Sequence, residues 1–168
     1  MLLWHDYGLS HMFIFYSTMI LFLLPISFID LDTKLILNVL TFPGIIIGVV
    51  LSICLKETSV YQSLVGLILG GGFLWLLGII GEFLFKKESM GAGDVKLGAM
   101  IGVFLGPEVI IALFLAFFLA FPVIALGLVA KKIKLDSAVP FGPFIALGAI
   151  LIVFFGQTLY GFYFNLIG

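Results

Sequence analysis

Long apolar runs and short polar breaks alternate along the chain. The apolar runs lie at about 12–29, 36–54, 61–85, 95–106, 108–130 and 138–166. A helix needs about 20 apolar residues to cross a hydrocarbon core about 30 Å thick. The fourth run falls short of that, but Gly106-Pro107-Glu108 joins it to the fifth. The stretch 95–130 is therefore expected to be a helical hairpin with a tight turn, its short arm packed inside protein. The fold class that follows is all-α: one polytopic membrane bundle over residues 1–168, with about six transmembrane helices.

Composition strengthens this reading. Of the 168 residues 63% are hydrophobic and only 10% charged, with a mean hydropathy of +1.35. A water-soluble core needs far less apolar residue than that. The N-terminal "MLLWHDYGLSHMF" has no basic region, and no small-residue cleavage site follows the first apolar run. That run is read as a first membrane helix rather than a removable signal.

Charge sets the orientation. All eight basic residues are lysines. With the N-terminus outside, Lys34, Lys86, Lys87, Lys96, Lys131, Lys132 and Lys134 fall on the inner side and Lys56 alone outside. This obeys the positive-inside rule. The KKIK of the last inner loop fits the same signal better than a lipid-headgroup site. A net charge of −1 gives no surface for nucleic acid.

Some chemistries are poorly supplied. Cys54 is the only cysteine, which removes an intrachain disulfide and any CxxC site. The two histidines, His5 and His11, both lie in the first dozen residues. A metal centre or a Ser-His-Asp mechanism has little to draw on.

Glycines recur every fourth residue at Gly44 and Gly48, at Gly66 and Gly70, and at Gly98, Gly102 and Gly106. Small residues on one helix face let membrane helices approach closely, so these are read as packing positions.

Nine acidic residues remain to be explained. Asp6, Glu57 and Glu108 sit at outer ends, and Asp136 lies among lysines. Asp30 ends the first run, where a carboxylate faces the unfavourable end of the helix dipole. Asp94 stands at the start of a helix, where an aspartate is the favoured N-cap. Capping alone would explain Asp94, but not Gly91 and Gly93 just before it; they allow close approach of another chain. The predicted topology puts Asp30 and Asp94 at the same inner boundary. Two carboxylates in a partly desolvated site cannot both ionise cheaply, so such a pair would share a proton, as an aspartic protease requires.

Gly91-Ala92-Gly93-Asp94 fits the GxGD signature of membrane aspartic proteases. "KKESMGAGDVKLGAMIGVFLG" resembles the second catalytic segment of the type IV prepilin peptidases. "FIDLDTKLILNVLTFPG" resembles the first, and "VPFGPFIALG", from Val139 to Gly148, the last conserved one. The resemblance implies that Asp30 and Asp94 are catalytic and that Asp32, Glu88, Gly91, Gly93 and Lys96 support the site or the substrate. For Lys96, holding a carboxylate or the substrate chain stands beside simple snorkelling to the interface. Leu37 replaces a proline common in relatives, with Asn38 after it.

The resemblance further implies cleavage of leader segments from prepilins or pseudopilins, at the inner face of a prokaryotic cytoplasmic membrane, without a cofactor. The chain starts almost at the first catalytic span. The cysteine-bearing N-terminal region of the large bifunctional enzymes is absent, so the peptidase is implied and the N-methyltransferase is not. Three other readings stand beside it. They are a non-proteolytic scaffold, a proton-coupled transporter subunit, and a presenilin-type protease. The first would need both aspartates to be mere caps, the second charges deep in a span, and the third a YD segment that no span carries.

Overall fold

The computed structural model describes residues 11–55, 59–86, 90–131 and 139–167; the side chains of Phe85 and of 157–167 lie outside the description. Six α-helices and one short 3-10 turn make up the described chain. They are α1 (His11–Thr33), α2 (Asn38–Leu55), α3 (Val60–Phe85), α4 (Ala92–Leu105), the turn Gly106–Glu108, α5 (Val109–Val129) and α6 (Gly142–Ile167). They match the six apolar runs in order. Helices α1, α2 and α3, and the stretch Ala92–Val129, are long and apolar enough to cross a membrane; Gly142–Gly156 is a shorter apolar helix. The protein is a multi-pass membrane bundle.

The register of the bundle is carried by its glycines. Gly66 of α3 lies against Gly102 and Gly106, Gly70 against Gly98, and Gly78 against Met90, so α3 and α4 run antiparallel. A methyl group at Gly66 or Gly102 would meet a carbonyl oxygen of the opposite helix. The four-residue glycine pattern is thus a backbone-to-backbone seam, as expected where lipid removes the hydrophobic drive for association. Gly44 and Gly48 of α2 instead receive side chains of α4: Met100 at the first, Val103 and Phe104 at the second.

Gly70 also touches Val109, so the chain reverses after Gly106 and α5 runs beside α4 as the second arm of a hairpin. The reversal uses Gly106 at φ +59°, a conformation open to glycine at little cost. Helix α6 runs antiparallel to α5, with Gly148 against Ala112 and Ala116 and Gly156 near Glu108. The short arm α4 is the centre of the bundle. Leu97, Gly98 and every residue from Met100 to Leu105 on it are buried, and it packs on α3, α2, α6 and α1.

Helices α1, α3 and α5 each run into a lysine in the left-handed region: Lys34, Lys86 and Lys131, at φ 56°, 54° and 55°. This conformation costs a non-glycine residue about 1–2 kcal/mol. A positive side chain beside the last carbonyls offsets part of that. These three lysines mark one end of the bundle. There α3 and α5 project beyond their neighbours. Helix α4 starts just past Met90, which lies against Gly78, and α6 starts beside Phe141, whose ring meets that of Phe117 at 4.8 Å. The remainders of α3 and α5 continue about two and three turns further.

Candidate active site

Asp30 belongs to the core face of α1. The buried residues of that helix are Phe15, Met19, Leu23, Ile26 and Asp30, each three or four positions after the last, which is one stripe of an α-helix. The carboxylate therefore occupies a position that the helix otherwise fills with hydrocarbon. It is 4% exposed. A carboxylate so placed needs a partner, and Oδ2 accepts a 2.8 Å hydrogen bond from the backbone N–H of Gly142. Helix α1 does not end at Asp30 as expected but continues to Thr33. Asp30 is thus held by burial and by α6 rather than exposed at a helix terminus.

Asp94 heads the central helix. The N-cap of α4 is Gly91, so Asp94 is the third helical residue and not the cap that its position in the sequence suggested. An acidic side chain at this position reaches back toward the cap backbone, as in one half of a capping box. The backbone N–H of Gly91 lies within hydrogen-bonding reach of its carboxylate. A Cβ at Gly91 would fall 3.2 Å from Asp94 Oδ2. The Asp94 side chain is half-buried. Its carboxylate stands close enough to that of Asp30 for the two like charges to repel. Residues of α1 and α4, with two whole helices between them in sequence, are thus brought together at the lysine-bearing end.

The surrounding residues divide. Gly93 is packed: a Cβ there would lie 2.8 Å from Cβ of Ile36 in the α1–α2 loop. Gly91 is exposed and opens toward Asp94. Lys96 donates from Nζ to Oδ1 of Asn38 at 2.8 Å and stands 5.7 Å from the Phe42 ring centroid. Its amine ties α4 to the first turn of α2. Asp32 is exposed, because residues two apart on a helix point to nearly opposite sides. Glu88 lies outside the described residues. Among the described residues no three His, Cys, Asp or Glu side chains converge as a metal site would require.

Gly142 is a site residue that the sequence did not single out. Its segment was recognisable, but its donor is a backbone N–H, which carries no residue signature. The available signal was Asp30 itself, a charge on an apolar stripe that demands a donor from somewhere.

The pattern of the type IV leader peptidase family matches residues 17–126. The chain is 33% identical over 141 residues to the prepilin leader peptidase/N-methyltransferase of Burkholderia pseudomallei, covering 82% of this chain and 45% of that protein. It is 29% identical over 147 residues to the protein of the same name from Pseudomonas putida, covering 87% and 51%. With that of Legionella pneumophila it shares 30% identity over 167 residues, covering 95% and 56%. The chain thus spans about half the length of the curated relatives it matches. No solved structure matches it.

Proposed function

The chain belongs to the type IV leader peptidase family, and from that premise we propose that it cleaves the leader from prepilin or pseudopilin-like substrates using Asp30 and Asp94 as an aspartate pair. The observation that carries this reading is that the two carboxylates, one from α1 and one from the central helix, lie near enough at one end of the bundle for their charges to repel. The lysines of that end, by the positive-inside rule, support a position at the inner face of a cytoplasmic membrane.

In the proposed reaction the pair holds one proton. The ionised aspartate takes a proton from water as the water oxygen attacks the scissile carbonyl. The protonated aspartate gives its proton to the carbonyl oxygen, forming a neutral gem-diol. Collapse of that intermediate breaks the C–N bond: one aspartate gives its proton to the leaving amine while a gem-diol hydroxyl returns a proton to the other, so the pair again holds one. The partial burial of both groups keeps the shared proton from being lost to bulk water. Such a site needs its peptide extended, because a helical substrate hides its scissile carbonyl.

Leader cleavage of a co-expressed prepilin tests this, with membrane levels followed by blot. Asp30→Asn keeps an acceptor for the Gly142 N–H and Asp94→Asn keeps the helix start, but neither can share the proton. Each is expected to lose cleavage by about 10²–10⁴-fold. Normal cleavage by both folded variants would make the aspartates structural.

A further inference from the structure

The first four N–H groups of a helix have no partner within it. In α6 they can all be accounted for. Pro143 has none, and those of Phe144 and Ile145 both go to the Phe141 carbonyl at 3.1 Å. The N–H of Gly142 goes to Asp30 Oδ2 at 2.8 Å, in a buried setting. The start of α6 is therefore closed by a side chain of α1.

The approach is possible only for glycine. A Cβ at residue 142 would fall 2.8 Å from Oδ2, 3.2 Å from Cγ and 3.4 Å from Cβ of Asp30. These are contacts with the carboxylate itself and the root of a short side chain. Asp30 has one rotatable bond before its carboxyl group and is enclosed, so it can yield only by swinging away from the N–H.

We propose that Gly142 is a positioning residue for Asp30: its N–H pins Oδ2, and its missing side chain lets the carboxylate stand where Asp94 and the attacking water need it. With Oδ2 fixed, Oδ1 is the oxygen left for the proton shared with Asp94. The role is indirect, since Gly142 acts only through Asp30, and it rests on the aspartate-pair reading above. It also gives a task to the last recognisable segment of the chain, which contributes no acid or base of its own.

The test is steady-state cleavage of a synthetic prepilin peptide that spans the leader junction, by the purified full chain in detergent. For Gly142→Ala, kcat is expected to fall about 100-fold, the usual scale for a misplacement near 1 Å, with KM within about twofold. A second measurement does not depend on activity. The melting temperature of Asp30→Ala should be unchanged by adding Gly142→Ala, because the clash has gone, whereas Gly142→Ala alone should lower that of the wild type. The proposal is overturned if Gly142→Ala keeps kcat within threefold of wild type. It is equally overturned if the alanine lowers the melting temperature as much without the Asp30 carboxylate as with it, which would make Gly142 a packing residue. Asp30→Asn and Asp94→Asn run in the same assay separate the two readings. If they cut normally, the aspartate pair itself fails, whatever Gly142 does.

Discussion

Lys96 donates a 2.8 Å hydrogen bond to Asn38, the first residue of α2, and one residue before Asp94 Gly93 meets Ile36 of the α1–α2 loop. The α1–α2 loop and the start of α2 thus hold α4 on both sides of Asp94. Since the loop begins after Thr33, about one turn beyond Asp30, it forms a short strut between the segments that carry the two aspartates.

If the strut matters, Lys96→Met and Asn38→Ala should each lower cleavage by several-fold and stability by about 0.5–1.5 kcal/mol. The double variant should be little worse than either single one, as for residues that share one interaction. Thermal unfolding in detergent, alongside cleavage rates, measures both. Additive losses would show that Lys96 acts on the substrate or the interface instead.

Gly93→Ala should impair cleavage by driving Ile36 away from α4. Adding Ile36→Gly should restore most of the lost rate, because the contact is with the Ile36 Cβ itself, which only glycine removes. Rescue in the leader-cleavage assay is the expected result. If the double variant is as poor as the single one, Gly93 is needed bare for a reason other than the loop.

Two glycines of the bundle give opposite stability predictions. Gly72 lies inside α3 with nothing within 4 Å of an added Cβ. Gly72→Ala should therefore stabilise by about 0.5–1 kcal/mol through helix propensity alone. Gly102→Ala puts its methyl into the Gly66 carbonyl and should destabilise by about 1–3 kcal/mol, the range for overpacking. Melting temperatures of the two purified variants, measured together, decide the matter.

Much of this was legible in the sequence, for reasons that can be located. The apolar runs gave the six helices, because hydrocarbon length and helix rise leave little freedom. The four-residue glycine spacing gave the α3–α4 seam, because it repeats one helix face. Asp30 and Asp94 stood out because charge is scarce in this chain. Three things were hidden. Asp32 lies only two positions from Asp30, yet that step carries a side chain to nearly the opposite face of the helix. The cap of α4 is Gly91 and not Asp94, since helix starts are set by backbone angles that a GAGD string leaves open. The bond from Gly142 joins residues 112 apart through a main-chain donor, and no side-chain pattern could announce it.

The shortness of α4 has a consequence for the membrane itself. Asp94 lies only twelve residues before Gly106, a rise of about 18 Å, against a hydrocarbon core of about 30 Å. The turn at Gly106–Glu108 and the aspartates cannot both sit at bilayer surfaces of ordinary thickness. Meanwhile α3 and α5 continue past the aspartates with Phe83, Phe118 and Val129 exposed. The protein thus combines long and short apolar heights, a hydrophobic mismatch that lipid answers by thinning locally. The proposed hydrolysis would consume a water at the aspartate pair, so a thinned patch would serve as its water supply. Reconstitution in lipids of increasing acyl length should then slow cleavage with no change in the amount of folded protein. Membrane thickness would be a variable of this reaction in the way that substrate concentration is.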